Sequence, residues 1–197
     1  DHRRALDRLD AMGLLYPCFL SRKELNQALS APHLTPGMGP DGPAMTDTDL
    51  LMPEEERARR LNAGEAHVLR LRMAAAVSQA GTLNWRDLDR GVQTAAPEIF
   101  GDVVLARKDV PTSYHLAVTV DDALQGITLV TRGEDLFQAS HVHRLLQALL
   151  DLPTPDYRHH PLLVDRNGRR YAKRDKALTL RSLREAGRSP DDILDIV

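Results

Sequence analysis

The run ITLVTRGEDLFQASHVHRLLQALLDL (127–152) constrains the fold more than any other part of this chain. Branched residues in ITLVTR (127–132) favour a strand. The following DLFQASHVHRLLQALLDL (135–152) reads as a single helix that stops before Pro153. A strand that feeds directly into a helix, with more strand-forming sequence on either side, points to an α/β domain. The flanking strands are expected at VVLAR (103–107), at YHLAVTV (114–120), and at PLLV (161–164) and RRYA (169–172), the last two joined as a hairpin across DRNG.

The first half is more irregular. DHRRALDRLDAMG reads as an amphipathic helix, with Leu6, Leu9 and Met12 at helical spacing and Gly13 placed for a left-handed cap. YPCFL (16–20) is extended, and Ser21 with Glu24 forms a capping box that opens a helix ending by Ser30. Residues 31–53 hold five of the twelve prolines and read as a loop-rich insertion. Pro53 sits at a first helical position, with acids before arginines as the helix dipole prefers. In VLRLRM (68–73) the alternation of Leu69, Leu71 and Met73 with arginines predicts a half-buried strand. Two short helices close the chain, one over 179–186 ended by Gly187 and one opened by Ser189-Pro190.

Composition narrows the class. With 197 residues, 42% hydrophobic and 27% charged, the chain has the make-up of an ordinary globular domain. Aromatics are only 4%, so the core must be aliphatic. No apolar run approaches the roughly 18 residues of a membrane span. A lone cysteine, Cys18, allows no internal disulfide and suits a reducing, cytoplasmic setting. Asp1 lies inside a helical pattern, which leads us to expect a piece of a longer chain.

Three stretches carry candidate chemistry. Between Arg166 and Arg184 there are eight Lys or Arg and one acid, Asp175, a local balance of +7 in a chain of net charge -2. Such a concentration attracts phosphate, although many charge runs are only solvated surface. In VTRGEDL (130–136), Arg132 ends a strand where ligands of open α/β sheets gather, placed to clamp a carboxylate; the alternative is an ion pair with Glu134 or Asp135. TVDDALQG (119–126) reads equally as a metal-binding segment or a polar turn. The histidines make poor metal ligands. His141 and His143, at i and i+2, do not share a helical face, and His159 and His160 would point to opposite sides of a strand.

SYHLAVTVDDALQGITLVTRGEDL together with LPTPDYRHHPLLVDRNGRRYAKRD resembles the second half of the catalytic domain of glutamyl-tRNA synthetases, and more narrowly their short paralogues, the glutamyl-Q tRNA(Asp) synthetases. The resemblance extends from the opening helix to about Gly187. It implies a class I Rossmann-type fold, α/β, interrupted by a connective insertion. Residues 1–20 would lead into the insertion, 21–110 would form it, 111–165 would be the second half of the core, and 166–197 the KMSKS-type loop with terminal helices. RYAKR (Arg170, Tyr171, Ala172, Lys173, Arg174) takes the place of that loop, and Lys173 would contact ATP phosphates and steady the departing pyrophosphate. Arginine stands for the loop's first lysine and alanine for its serine. Tyr114 and Arg132 fall on positions that contact glutamate.

The resemblance also implies ATP, with Mg2+, and tRNA(Asp) as partners of a monomer. Family members often carry zinc in the insertion; here Leu20 replaces the second cysteine of a Cys-x-Cys pair, so the zinc site is expected to be lost. No His-x-Gly-His occurs in the sequence, so the HIGH-type half of an adenylation site is missing and this stretch alone is expected to be inactive. Only 23 residues follow Arg174, which favours the short paralogue over an ordinary glutamyl-tRNA synthetase. A non-catalytic tRNA- or phosphate-binding remnant and a plain α/β interaction domain are the remaining alternatives.

Overall fold

The computed structural model describes residues 1–29, 37–162, 164 and 179–194. Helix α1 (His2–Ala11) buries Ala5, Leu6 and Leu9 on one stripe, and Gly13 behind it adopts φ +70°, the left-handed turn its sequence calls for. Strand β1 (Leu15–Cys18) follows, then α2 (Arg22–Leu29), whose start carries the expected reciprocal cap. The Ser21 amide donates to Glu24 Oε2 at 2.7 Å, and the Glu24 amide donates to Ser21 Oγ at 3.2 Å. A small ribbon, β2 (Met38–Gly39) and β3 (Gly42–Pro43), precedes a 3-10 turn at Thr48–Leu51. Helix α3 (Glu54–Asn62) has Pro53 as its N-cap, one position outside the helix.

Two sheets organise the rest. β1 pairs antiparallel with β4 (Val68–Leu71), and β4 with β7 (Val104–Ala106). The alternation of VLRLRM ends at Leu71, because Arg72 caps α4 (Met73–Ala80) and Met73 is already helical. The second sheet has the order β6-β5-β9-β8, with β5 (Asn84–Asp87), β6 (Gly91–Thr94), β8 (Leu129–Gly133) and β9 (Asp156–His160). β5 and β8 both run parallel to β9, whereas β6 closes an antiparallel hairpin with β5. The β8–α6–β9 unit, with α6 at Ala139–Leu149, is a parallel crossover.

Three expectations need correction. YHLAVTV is not a strand: it is the body of α5 (Tyr114–Leu124), capped by Ser113 Oγ, which accepts from the Leu116 amide. Its branched residues suit either state, and burial of Leu116, Thr119 and Val120 at helical spacing decides for the helix. The strand placed at PLLV instead occupies DYRHH, with Tyr157 and His159 buried and Arg158 and His160 exposed. The hairpin across DRNG lies outside the described residues. The polar stretch Asp121-Asp122 is the end of α5, where Asp121 meets His2 at 2.7 Å. α7 (Leu180–Glu185), capped by Thr179, and α8 (Pro190–Leu194) form where the sequence places them.

The core is aliphatic, as the composition demands. α1, α4, α5 and α6 close over the first sheet with Leu9, Leu71, Met73, Leu105, Leu116, Val142, Leu145 and Leu146 at or near zero exposure. Trp85 and Tyr157 fill a smaller aromatic layer under the second sheet, edge to face with 5.2 Å between ring centroids.

Candidate functional site

β8 and β9 lie in parallel register with Arg132 opposite His159. Paired residues on neighbouring strands present their side chains to the same face, so these two meet. α6 brings two more groups to that face: Ser140 and His143, three apart and so neighbours on the helix surface. The Arg132 guanidinium donates from Nε to His159 Nε2 at 3.1 Å, from Nη1 to His143 Nδ1 at 3.2 Å, and from Nη2 to Ser140 Oγ at 2.5 Å. It also lies 5.2 Å from the centroid of the Tyr157 ring, a cation–π distance.

Guanidinium has five N–H groups and no acceptor. Three are taken by partners among the described residues, which leaves one on each terminal nitrogen. A carboxylate accepts two parallel N–H bonds from such a fork. The alternative pairing of Arg132 with Glu134 does not occur: the Glu134 carboxylate bonds Arg90 at 3.2 Å, whose guanidinium stacks 4.5 Å from the Phe137 centroid.

Behind His159 stands Asp87, at the end of β5. Its Oδ2 is 2.7 Å from His159 Nδ1, and its Oδ1 accepts from the amides of Asp89 and Arg90 at 3.0 and 2.9 Å. Both side chains of this pair are fully buried. Burial pushes the Asp87 carboxyl up, but the bonds from His159 and the two amides outweigh it and hold the group below its ordinary value. Burial, aided by the Arg132 charge, holds His159 below the ordinary imidazole value against the pull of Asp87. His143 is held well below it, by burial first and then by Arg132. Both rings are therefore neutral at pH 7.

On the other side, His143 Nε2 is 3.2 Å from His115 Nδ1. Tyr114 precedes His115 at the start of α5 and lies edge-on to the His143 ring, with centroids 5.7 Å apart. His143 thus joins the two expected glutamate contacts, Tyr114 and Arg132. Tyr114 is 50% exposed, and its hydroxyl has no hydrogen bond among the described residues. With His115 it also lines a cleft of about 900 Å3 whose walls include Arg70, Phe100 and Lys108. The loop residues Arg170, Tyr171, Ala172, Lys173 and Arg174 lie outside the described residues.

His141 faces away from this cluster and accepts from Trp85 Nε1 at 3.2 Å, as the i, i+2 spacing requires. Sequence reasoning missed Asp87, Ser140 and His115. The Ser140–His143 spacing was a usable signal; nothing in NWRDLDRG marks Asp87 as a partner of a residue 72 positions away.

The zinc site that the resemblance implies was tested on Cys18. It is buried, and its sulfur accepts from Thr48 Oγ1 at 3.7 Å. Around it Tyr16 donates to Asp102 Oδ2 at 2.8 Å, and that carboxylate also accepts from the amides of Asp47 and Met73 at 2.7 and 2.8 Å. Among the described residues no group of three His, Cys, Asp or Glu side chains could hold a metal ion. Hydrogen bonds among the described residues hold this corner together. Nor is any helix among the described residues long and apolar enough to cross a membrane.

Comparison with known proteins places this geometry. A glutamyl-Q tRNA(Asp) synthetase from Rhodobacter capsulatus is 44% identical over 204 residues, covering 100% of this chain and 71% of its own. One from Symbiobacterium thermophilum is 42% identical over 194 residues, covering 98% of this chain and 57% of its own. The glutamate-tRNA synthetase structure from Elizabethkingia anophelis superposes with a TM-score of 0.66 over 95% of this chain and 36% of that one, at 23% identity, and so shares the fold. Residues 3–197 match the family of tRNA synthetases class I (E and Q), catalytic domain. With that match across nearly the whole sequence, and a relative 44% identical over all of it, the chain belongs to the class I tRNA synthetases of the E and Q group.

Proposed function

We propose that this chain forms the glutamate- and phosphate-holding part of a ligase that makes glutamyl-adenylate from glutamate and ATP, with Mg2+, and passes glutamate to queuosine in the anticodon of tRNA(Asp). The observation that carries the reading is the Arg132 fork: a guanidinium fixed by three side chains, with one N–H on each terminal nitrogen left, among the described residues, for a carboxylate. Glutamate has two carboxylates. Adenylation uses an oxygen of the α-carboxylate to attack the α-phosphorus of ATP, and pyrophosphate leaves. The carboxylate in the fork is therefore the side-chain one, because the guanidinium occupies both oxygens and draws charge from them, which makes either a poorer nucleophile. Glutamine would set an amide NH2 against a donor and lose one of the two bonds.

Tyr114 supplies a hydroxyl for the rest of the amino acid, and Lys173 the charge that steadies the departing pyrophosphate. The names borne by the 44% and 42% identical relatives support queuosine as acceptor. A monomer working in the cytoplasm fits this reading.

The test is ATP–pyrophosphate exchange with glutamate, without tRNA, on protein expressed from the complete reading frame. Exchange without tRNA, absent with glutamine, is the expected result. Exchange only after tRNA is added would favour a second reading, an ordinary glutamyl-tRNA synthetase. A relative from Nitrosococcus oceani called glutamate–tRNA ligase 2, 36% identical over 184 residues, keeps that reading in play. Silence under both conditions would leave a non-catalytic tRNA-binding protein.

A further inference from the structure

We infer that Asp87, His159, Ser140 and His143 are positioning residues that aim the Arg132 fork through a hydrogen-bond chain of fixed direction. The inference rests on the reading of Arg132 as the glutamate clamp. Its starting point is that a guanidinium only donates. His159 Nε2 faces Arg132 Nε and must accept, so the His159 proton is on Nδ1, where it is donated to Asp87 Oδ2. His143 Nδ1 faces Arg132 Nη1 and must also accept, so its proton is on Nε2 and is donated to His115 Nδ1. Ser140 Oγ accepts from Nη2 and lies 3.3 Å from His159 Nε2.

Every ring nitrogen in the chain then has one permitted role. The guanidinium cannot turn about its own bonds without losing an acceptor. A side chain with four rotatable bonds is in this way held to one orientation before substrate arrives, which removes part of the ordering cost of binding. The Asp87 anchor is itself fixed, because Oδ1 is occupied by the amides of Asp89 and Arg90. The device draws on β5, β8, α6 and β9, and α5 closes its far end.

Asp87→Asn is the sharpest test because it changes no volume. The two backbone amides keep the carbonyl oxygen, so the new NH2 faces His159 Nδ1. The ring must then accept at Nδ1 and place its proton on Nε2, directly against the Arg132 Nε–H. His143→Leu removes the other acceptor, and His143→Gln restores one at similar reach. The KM for glutamate and for ATP would be measured by pyrophosphate exchange, beside circular dichroism to confirm folding and 15N spectra of the imidazoles to read the tautomers.

We expect Asp87→Asn and His143→Leu to raise the glutamate KM roughly tenfold or more, with the ATP KM within about twofold and His143→Gln recovering most of the loss. In the wild type, His159 carries its proton on Nδ1 and His143 on Nε2. A wild type that exchanges normally beside folded variants with unchanged glutamate KM would overturn the inference and leave the glutamate reading intact, as would a His159 proton on Nε2. Equal increases in both KM values would overturn it too, in favour of general damage. A wild type that exchanges with no glutamate at all removes the clamp reading and this inference with it.

Discussion

Asp102 and Arg132 are charged side chains set among buried groups, one in the corner around β1 and the other behind β8. The Asp102 carboxylate is 3% exposed and takes three donors, the Tyr16 hydroxyl and the amides of Asp47 and Met73. Nearby, the buried Asp49 carboxylate is matched by Arg57 and Arg72, and Arg72 also stacks 4.6 Å from the Tyr16 centroid. These acceptors are met from inside the protein, and their partners are backbone amides and neighbouring side chains. Among the described residues Arg132 is matched only in part, three donors of five, and its partners are a serine hydroxyl and two histidine rings, which can change tautomer. A saturated charge serves the fold, whereas a fixed charge with two free donors is ready for a ligand.

The largest expected effect separates the two regions outright. Asp102→Ala strips the acceptor from a buried amide, a part-buried amide and a buried phenol, and should cost about 4 kcal/mol of stability. Urea unfolding would measure it, and a loss under about 1 kcal/mol would mean water replaces the carboxylate. Arg132→Lys should do the reverse. It keeps the charge but not the planar fork, so glutamate kcat/KM should fall roughly 100-fold, about 2.7 kcal/mol, while the unfolding midpoint barely moves.

Opposite pH limits follow for the two regions. His143 faces Arg132 on β8, His115 and the Tyr114 ring on α5, and His159 on β9, and its pKa lies well below the ordinary 6.5. The unfolded chain therefore takes up the proton first, and stability is lost as pH falls below about 6.5, by up to about 1.4 kcal/mol per pH unit for each such histidine. His143→Gln should flatten that slope. In the other region, burial raises the Tyr16 phenol well above its ordinary 10.0, so the folded protein keeps a proton that the unfolded chain gives up. Stability falls as pH rises above about 10, and Tyr16→Phe should reduce that alkaline loss, leaving the smaller part due to the buried Tyr157 phenol, which burial also raises. A slope unchanged by either variant would break the pairing of region with pH limit.

The smallest effect tests the turn out of β8. A Cβ at Gly133 would approach Asp135 Oδ1 to 2.6 Å and Leu162 Cδ2 to 3.0 Å. Its φ of -67° suits any residue, and the near atoms belong to side chains rather than backbone. Gly133→Ala should thus cost about 1 kcal/mol, with a small rise in glutamate KM if the turn shifts Arg132. A stability loss above about 3 kcal/mol would show that this turn cannot relax.

Much of the fold was legible because its signals are local. The Ser21–Glu24 cap, Gly13 behind α1 and the strand–helix join at Arg132 each need only a few adjacent residues. α5 was misread because Val118, Thr119 and Val120 suit a strand locally. Packing of Leu116, Thr119 and Val120 on one face outweighed that preference. β5 and β6 went unread because each is only four residues long: NWRD buries alternate positions, but one of the two is the charged Asp87, and GVQT is mostly exposed.

The candidate site divides in the same way. Arg132 and the basic run that holds Lys173 stood out in the sequence by residue type and neighbourhood, and Tyr114 through the family resemblance. What they are joined to was decided in three dimensions. Asp87, His115, Ser140, His143 and His159 come from four separate elements, and only the parallel register of β8 with β9 and the return of α6 bring them around one guanidinium. Chain-local rules reach about one helical turn or one strand pair. The direction of every hydrogen bond in the cluster is set by a donor-only group contributed from far along the chain, and that constraint exists only once the sheet has formed.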